Sequence, residues 1–206
     1  MIAIIDYGVG NLFSLRSSLK FIGQDAVVTS DRQTIRDADK IILPGVGAFG
    51  DAARKLRESG MAGAVTDEAA SGKPLFGICV GMQLLFDKSL EYGEHAGLGL
   101  IAGTVSPIEP VIPKGLKIPH IGWNGLSFPA GQEKHPLFTY TDEGAYVYFV
   151  HSFAAMGCDE SVIATTEYGA PLVAAVAKGN VWGTQFHPEK SGSVGMDILR
   201  AFAETE

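Results

Sequence analysis

Short, unbroken apolar runs alternate with amphipathic segments through the first half of the chain. Each run is too short for a buried helix and is bounded by polar or glycine residues, which is typical of a fully buried strand. The pattern predicts strands at 2–5, 26–28, 40–43 and 75–78, with helices at 11–22, 49–58 and 62–71. Because such strands separated by helices are typical of a parallel sheet covered on both faces, we expect an α/β fold.

The second half has a different pattern, in which strand-like runs are joined by Gly, Pro and Asn turns with little helix between them. The predicted strands are 98–107, 146–150, 162–166, 172–177 and 181–185, and a last helix is predicted at 194–202. Runs joined by short turns favour antiparallel pairing. We therefore expect antiparallel strands that either extend the same sheet or form a small second layer.

Composition narrows the function classes. The 206 residues carry no repeat or linker, so we expect a single domain spanning 1–206. A formal net charge of −7 argues against nucleic acid or an anionic membrane as the main partner. The N-terminus lacks a basic segment and no stretch approaches the ~20 apolar residues of a membrane helix. Two cysteines make no disulfide framework, so we expect a cytoplasmic protein.

Cys79 has a glycine two residues before it and another two residues after it, at the predicted end of a strand. This frame is typical of a nucleophile elbow, a sharp strand-to-helix turn that exposes a reactive side chain at the top of a sheet. A helix starting after Cys79 would favour the thiolate through its dipole, and we expect it to carry Met82, Leu85 and Phe86 inward. Cys158 has no such frame, so we interpret it as a structural thiol.

The triplet His187-Pro188-Glu189 supplies a base and a carboxylate. Proline favours an extended conformation at the residue before it, and residues two apart in extended chain point to one side. His187 would then take the proton of the thiol while Glu189 orients the imidazole. Alone, the triplet is equally well explained by a strand-end histidine with a solvated glutamate. With the cysteine elbow, it indicates acyl-transfer chemistry.

Acyl chemistry on a thiol also needs two donors for the tetrahedral oxyanion. The N–H of Val80, directly after the nucleophile, is one candidate. The turn at residues 44–47, Pro-Gly-Val-Gly, follows the third predicted strand and offers a second donor from Val46 or Gly47. We name residues 44–47 the oxyanion turn. Glycine accepts either sign of φ, so this turn has the freedom to flip a peptide.

Cofactor motifs are missing from the sequence. Gly8 and Gly10 begin a dinucleotide-binding pattern, but the third glycine would stand at position 13, which is Phe13. The histidines show no metal-ligand spacing with the cysteines. We therefore predict no cofactor and no metal.

Taken in order, the runs 44–47, 77–83 and 186–189 resemble those of the class I (triad) glutamine amidotransferases. Within that family, the runs 6–11, 120–124 and 148–153 are similar to those of glutaminase subunits of imidazole glycerol phosphate synthase. The resemblance extends over the whole chain. It implies a flavodoxin-like, doubly wound, mostly parallel sheet and a role in histidine biosynthesis.

The resemblance also implies roles for individual residues. Cys79 would form a glutamyl thioester, with His187 as base and then acid and Glu189 orienting it. The residues matching substrate contacts are Gln83, His151 and Ser152. Ammonia would pass to a separate cyclase subunit with a (β/α)8-barrel fold, and the residues matching the face toward that partner are Asn11, Trp123 and Lys190. Phe153 stands where the family pattern has tyrosine, so a hydrogen bond is expected to be missing there.

Three other interpretations fit parts of the sequence. A glutaminase serving another acceptor would keep the triad, but the Gly-Trp-Asn run at 122–124 and the short chain argue against it. A cysteine hydrolase acting on another amide would need no partner. A non-enzymatic regulatory subunit would not need Cys79, His187 and Glu189 together. Because uncoupled hydrolysis wastes glutamine, we expect the partner to complete the oxyanion hole.

Overall fold

The computed structural model describes residues 1–205. Six α-helices lie within this part of the chain: α1 Leu12–Phe21, α2 Arg32–Asp37, α3 Phe49–Glu58, α4 Met61–Ala70, α5 Val80–Gln83 and α6 Gly192–Glu204. The first seven strands are β1 Ile2–Ile5, β2 Ala26–Thr29, β3 Lys40–Gly45, β4 Leu75–Cys79, β5 Phe86–Ser89, β6 His95–Ala96 and β7 Ile101–Pro107. The remaining strands are β8 His120–Ser127, β9 Tyr146–His151, β10 Phe153–Met156, β11 Val162–Glu167, β12 Pro171–Lys178 and β13 Val181–Thr184.

The main sheet has nine strands in the order β2-β1-β3-β4-β13-β12-β11-β8-β9. The five strands from β2 to β13 are parallel to one another, and the four that follow are antiparallel. The parallel part carries continuous apolar runs, such as the fully buried Ile2–Ile5, because both of its faces are covered. The predicted α/β class, with a mostly parallel centre and antiparallel strands added in the C-terminal half, is confirmed.

A second sheet contains four strands in the order β10-β7-β5-β6. Both expected arrangements of the C-terminal half therefore occur, since β8, β9, β11 and β12 extend the main sheet while β7 and β10 belong to the second one. β8 and the short α2 were not predicted. The two glycines within β8, Gly122 and Gly125, lower its strand propensity and explain why its sequence gives a weak signal.

The prediction of a helix that continues past Gly81 is wrong beyond the first turn. α5 ends at Gln83, and Phe86 begins strand β5. The Leu85 carbonyl accepts hydrogen bonds from Leu100 and Ile101, and Phe86 pairs with Ile101 of β7. This long-range pairing replaces the helical hydrogen bonds that the local pattern favours. Met82, Leu85 and Phe86 are nevertheless fully buried, as expected.

The carboxyl ends of β1, β3, β4 and β13 meet at one edge of the main sheet because these strands are parallel. Ligands bind at this edge in open α/β sheets. Tyr7, the oxyanion turn, Cys79 and His187 lie at or just beyond these four ends. One hydrophobic core beneath the edge joins residues from both halves of the chain, including Phe76 and Phe202, whose rings lie 5.0 Å apart.

Within residues 1–205, no helix combines the length and the apolar character needed to cross a membrane.

Candidate active site

Cys79 occupies a strained turn between β4 and α5. Its φ of 55° and ψ of −112° lie in a region that non-glycine residues rarely adopt, at a cost of ~1–3 kcal/mol. The flanking glycines are required by close packing: a Cβ on Gly77 would lie 2.7 Å from the Gly81 carbonyl oxygen, and one on Gly81 would lie 1.9 Å from the Leu43 carbonyl oxygen. Glycine at these two positions therefore allows the elbow to pack closely against β3.

The helix after the elbow contributes less to stabilising a thiolate at Cys79 than its predicted length implied. α5 has only four residues, so few peptide dipoles align toward Cys79. The expectation that the helix dipole activates the thiol is therefore not supported by the length of α5. The electrostatic partner of the thiol is His187, which lines the same cavity and whose pKa responds to Cys79.

His187 lies between Cys79 and Glu189. Its Nδ1 donates to Oε1 of Glu189 at 2.9 Å, and both side chains are almost fully buried. This bond leaves Nε2 as the ring nitrogen that faces the thiol. Burial alone would lower the pKa of His187, but its interactions with Cys79 and Glu189 raise it to about 9. The structure thus favours the imidazolium form of His187 beside Cys79.

The backbone conformation that brings Glu189 to His187 differs from the extended one expected from the sequence. His187 is extended, but residues Pro188–Lys190 form a 3-10 turn, so Glu189 does not continue an extended chain. The turn folds Glu189 back toward the imidazole of His187. The Ser191 hydroxyl donates to the His187 carbonyl at 2.7 Å and accepts from the Tyr148 N–H at 3.0 Å, which anchors the turn against β9.

A cavity of about 360 Å³ opens above the elbow. It brings together most of the residues singled out from the sequence: Val46, Gly47, Cys79, Val80, Gln83, His151, Ser152, His187 and Lys190. Glu189 lies behind His187 rather than in the cavity wall. Asn11 lines a narrow cleft beside it, together with Glu189 and the oxyanion turn. Trp123 is half exposed on the outer face of β8, away from the cavity.

The oxyanion turn approaches the nucleophile through the sheet register. Gly45 lies opposite Cys79 in the β3–β4 pairing, and Val46 and Gly47 then enter the cavity wall. Gly47 has a φ of +84°, with no atom within 4 Å of where a Cβ would lie. Its left-handed backbone, rather than crowding, is what requires glycine there.

Two buried amides form a chain that ends at the thiol. Gln83 donates to Gln185 Oε1 at 3.0 Å and to the Phe153 carbonyl at 3.2 Å. Gln185 Nε2 donates to Cys79 Sγ at 3.7 Å. Sequence reasoning found Gln83 but missed Gln185. Its signal was a polar residue directly after the buried strand β13 and two residues before His187.

Glu91 was also missed, although among residues 1–205 it is the one acidic residue that lines the cavity. Its Oε2 accepts a hydrogen bond from the Phe49 N–H at 2.5 Å, just beyond the oxyanion turn at the start of α3. No motif surrounds Glu91 in the sequence. It reaches the cavity because β5 leads the chain back across this edge, which the expected helix would not have done.

His151 lines the cavity, and its ring is buried in a polar network. His151 Nδ1 donates to the Phe153 carbonyl at 2.9 Å, and Nε2 faces His120 Nδ1 at 3.0 Å. His120 Nε2 lies 2.8 Å from Asn124 Oδ1. Burial lowers the pKa of His120 and lowers that of His151 to about 4. The rings therefore stay neutral at physiological pH.

Among residues 1–205, no cluster of three or more His, Cys, Asp or Glu side chains is arranged to hold a metal ion.

Comparison with known proteins gives consistent matches. The model of the family described as glutamine amidotransferase class-I matches residues 3–205. Two curated relatives are both named imidazole glycerol phosphate synthase subunit HisH. The one from Wolinella succinogenes is 47% identical over 206 residues, covering 99% of each chain. The one from Caldanaerobacter subterraneus is 48% identical over 205 residues, covering 99% of this chain and 98% of the relative.

Solved structures share the fold. A crystal structure described as a glutamine amidotransferase aligns with a TM-score of 0.75 at 21% identity, covering 99% of this chain and 98% of that one. A chain of the PurLQS structure from Thermotoga maritima aligns with a TM-score of 0.73 at 23% identity, covering 98% and 96%.

Proposed function

The chain belongs to the class I glutamine amidotransferase family, and we propose that it hydrolyses glutamine through a Cys79 thioester as the glutaminase subunit of imidazole glycerol phosphate synthase. The observation that carries the mechanism is the position of His187, beside Cys79 in the lining of a substrate-sized cavity and hydrogen-bonded to Glu189. The full-length identity to the named subunits supports the assignment to that synthase.

The reaction begins with attack of the Cys79 thiolate on the δ-carbon of the glutamine carboxamide. A C–S bond forms, and the carbonyl electron pair moves to oxygen, where the N–H of Val80 and an N–H of Val46 or Gly47 stabilise it. The intermediate collapses, the C–N bond breaks, and the proton of His187 leaves with the amine as ammonia. Glutamate is now held as a thioester on Cys79.

Water completes the cycle. His187, now neutral, removes a proton from a water molecule that attacks the thioester carbon. The C–S bond breaks, glutamate leaves, and the thiolate of Cys79 is restored beside the imidazolium of His187. Glu189 remains a carboxylate throughout and keeps Nδ1 of the imidazole protonated and oriented.

The charges of the cavity wall fit the other end of glutamine. An α-ammonium group requires an anionic partner, and Glu91 supplies one in the cavity. The backbone of His151 and Ser152 offers hydrogen bonds to the same end of the substrate. Gln83 holds this segment in place through its bond to the Phe153 carbonyl.

The chain functions as a subunit, and we propose that its partner is a (β/α)8-barrel cyclase that receives the ammonia. Strand β9 lines the cavity through Val150 and His151, and β8 pairs with it. The two strands present Ile121, Trp123 and Tyr146 to solvent, each more than half exposed. An exposed apolar group of this kind is typical of a protein interface. Asn11 and Lys190 flank the same edge, and we assign all of these residues to the partner face.

We further propose that residues 1–206 act as one domain in the cytoplasm. The shared core of the two halves supports the first point, although Glu206 lies outside the described residues. The cysteine content supports the second, because both thiols are free and buried.

Glutamate release by the purified chain, alone and with the candidate cyclase and its ribotide substrate, tests the proposal. We expect hydrolysis to rise strongly in the complex. In Cys79→Ala, glutamine-dependent synthesis should disappear while added ammonia still supports the cyclase. Cys158→Ala is the matched control, since that thiol is buried away from the cavity. Equal hydrolysis with and without the partner would contradict the proposed gating.

A further inference from the structure

Tyr7 connects the end of β1 to the oxyanion turn. It follows the strand by two residues and is 5% exposed. Its hydroxyl donates a hydrogen bond of 2.7 Å to the carbonyl oxygen of Pro44. That carbonyl belongs to the Pro44–Gly45 peptide, which leads directly into the donors Val46 and Gly47.

The hydroxyl also lies close to the elbow. A Cβ on Gly45 would lie 3.0 Å from the Tyr7 oxygen and 2.5 Å from the Gly81 nitrogen. The Tyr7 hydroxyl, the Gly45 peptide and the elbow thus meet in a space that admits no additional atom. The position of the turn relative to Cys79 is set at this contact.

The Tyr7 side chain is suited to act as a permanent hydrogen-bond donor, because its hydroxyl stays protonated. Burial, and then the charge of the neighbouring Cys79, raise the pKa of Tyr7 above its ordinary value. The hydroxyl therefore keeps its proton throughout the pH range in which the enzyme would work. Pro44 has no N–H with which to anchor its own position to a neighbouring strand, so its carbonyl carries this contact.

Packing around Pro44 allows little other freedom. A Cβ on Gly10, whose φ is +122°, would lie 3.0 Å from Cβ of Pro44. The segment after β1 thus covers the proline ring from one side while Tyr7 binds its carbonyl. The two contacts therefore fix the position of the oxyanion turn through residues that lie outside the strands of the main sheet.

We propose that Tyr7 is a positioning residue whose hydroxyl holds the Pro44–Gly45 peptide so that an N–H of Val46 or Gly47 points at the developing oxyanion. Tyr7 does not contact the reacting atoms and acts through the turn. This inference rests on the proposed hydrolysis of glutamine at Cys79.

Tyr7→Phe tests the inference because it removes only the hydroxyl. In the complex with the cyclase, we expect kcat for glutamine hydrolysis to fall by about tenfold to a hundredfold, since small displacements of catalytic donors have effects of this size. KM for glutamine should change by less than about twofold, because the hydroxyl does not touch the substrate. Tyr140→Phe is the control; it deletes a hydroxyl that binds Glu204 on the surface.

Alkylation of Cys79 by iodoacetamide distinguishes an effect on the oxyanion turn from an effect on the thiol, because displacement of iodide forms no oxyanion. The alkylation rate constant of Tyr7→Phe should match that of the parent within about twofold, with Cys79→Ala as the blank. A misfolded fraction would expose the buried Cys158 and add a second phase of alkylation, so a single phase shows that partial misfolding does not cause the loss of kcat.

Two results would overturn the inference: an unchanged kcat in Tyr7→Phe, or a fall in kcat matched by an equal fall in the alkylation rate. The second would place the hydroxyl's effect on the thiol itself. Failure of the parent complex to release glutamate would instead contradict the proposed function, and the two failures are thereby distinguished.

Discussion

Gly45 and Cys79 lie opposite each other in neighbouring parallel strands, and this register brings the oxyanion turn beside the nucleophile. The contact is close, because a Cβ on Gly45 would lie 2.5 Å from the Gly81 nitrogen. Cys79 and the oxyanion turn are thus held by neighbouring strands at the centre of the parallel sheet. Their relative position depends on glycines at the contact between β3 and the elbow.

Replacing Gly81 with alanine should separate β3 from the elbow. The new Cβ would lie 1.9 Å from the Leu43 carbonyl oxygen, which backbone shifts alone must relieve. Overpacking of this kind costs ~1–3 kcal/mol or more, so we expect a lower Tm by thermal unfolding and loss of glutamine hydrolysis. In the control, Gly63→Ala, the added Cβ meets only the flexible end of Arg32 at 3.2 Å. An unchanged Tm in Gly81→Ala would contradict the prediction.

The pH profile of glutamine hydrolysis should have an upper limit near pH 9. Burial opposes the charge on His187, but Cys79 and Glu189 outweigh it and raise its pKa to about 9. The imidazolium that protonates the leaving ammonia is therefore present below this pH and lost as the pH rises through it. Steady-state rates from pH 6 to 10 measure this limb.

Glu189→Gln should shift the same limb to lower pH, because it removes one of the interactions that raise the pKa of His187. We expect kcat to fall by at least about tenfold as the imidazole loses its orienting carboxylate. Glu94→Gln, an exposed residue paired with Lys88, serves as the control. An upper limb that stays in place in Glu189→Gln would show that the carboxylate does not set the pKa of His187.

Acid should destabilise the fold through the network of His120 and His151. The pKa of His151 is about 4 in the folded chain, below its ordinary value of 6.5. Between pH 6.5 and pH 4 the unfolded chain therefore binds a proton that the folded chain does not. Its contribution to the free energy of unfolding is constant above pH 6.5 and decreases by roughly 3 kcal/mol as the pH falls to 4.

His151→Gln should weaken this acid dependence. Urea unfolding at pH 7 and pH 4.5 would show a smaller difference in the variant than in the parent, whatever its stability at pH 7. His95→Gln is the control, because His95 lies outside the network. An equal pH dependence in His151→Gln and the parent would exclude His151 as a source of acid sensitivity.

Trp123→Ala should weaken association with the cyclase while sparing the catalytic residues. The indole is 51% exposed and its ring centroid lies 6.0 Å from that of Tyr148, which adds to the apolar face of β8 and β9. Exposed aromatic residues contribute strongly to interfaces, so we expect the Kd for the partner to rise by about tenfold or more. Calorimetric titration measures this change.

The control for Trp123→Ala is Phe21→Ala. Phe21 is 82% exposed at the C-terminal end of α1, which begins at the edge that holds the cavity and leads back to the opposite one. Both variants should react with iodoacetamide like the parent. Equal affinity of Trp123→Ala and the parent for the cyclase would remove Trp123 from the proposed interface.

Local sequence determined much of the framework. The apolar runs predicted β1, β3 and β4 because a buried parallel strand needs apolar residues on both faces. The glycines around Cys79 predicted the nucleophile elbow, because only glycine allows the elbow to approach β3 this closely. These are signals that a strand or a turn carries within itself, so they remain visible without any knowledge of the rest of the fold.

Tertiary structure decided what lies far apart in the chain. The short helix after Cys79 ends because β5 pairs with β7, which no local pattern predicted. Tyr7 reaches Pro44 across 37 positions, and Gln185 reaches Cys79 across 106. Such contacts depend on strand order and register, which the hydrophobic pattern of a single strand does not encode. The sequence therefore determined which residues we propose to carry the chemistry, and the order of the strands decided which residues hold them in position.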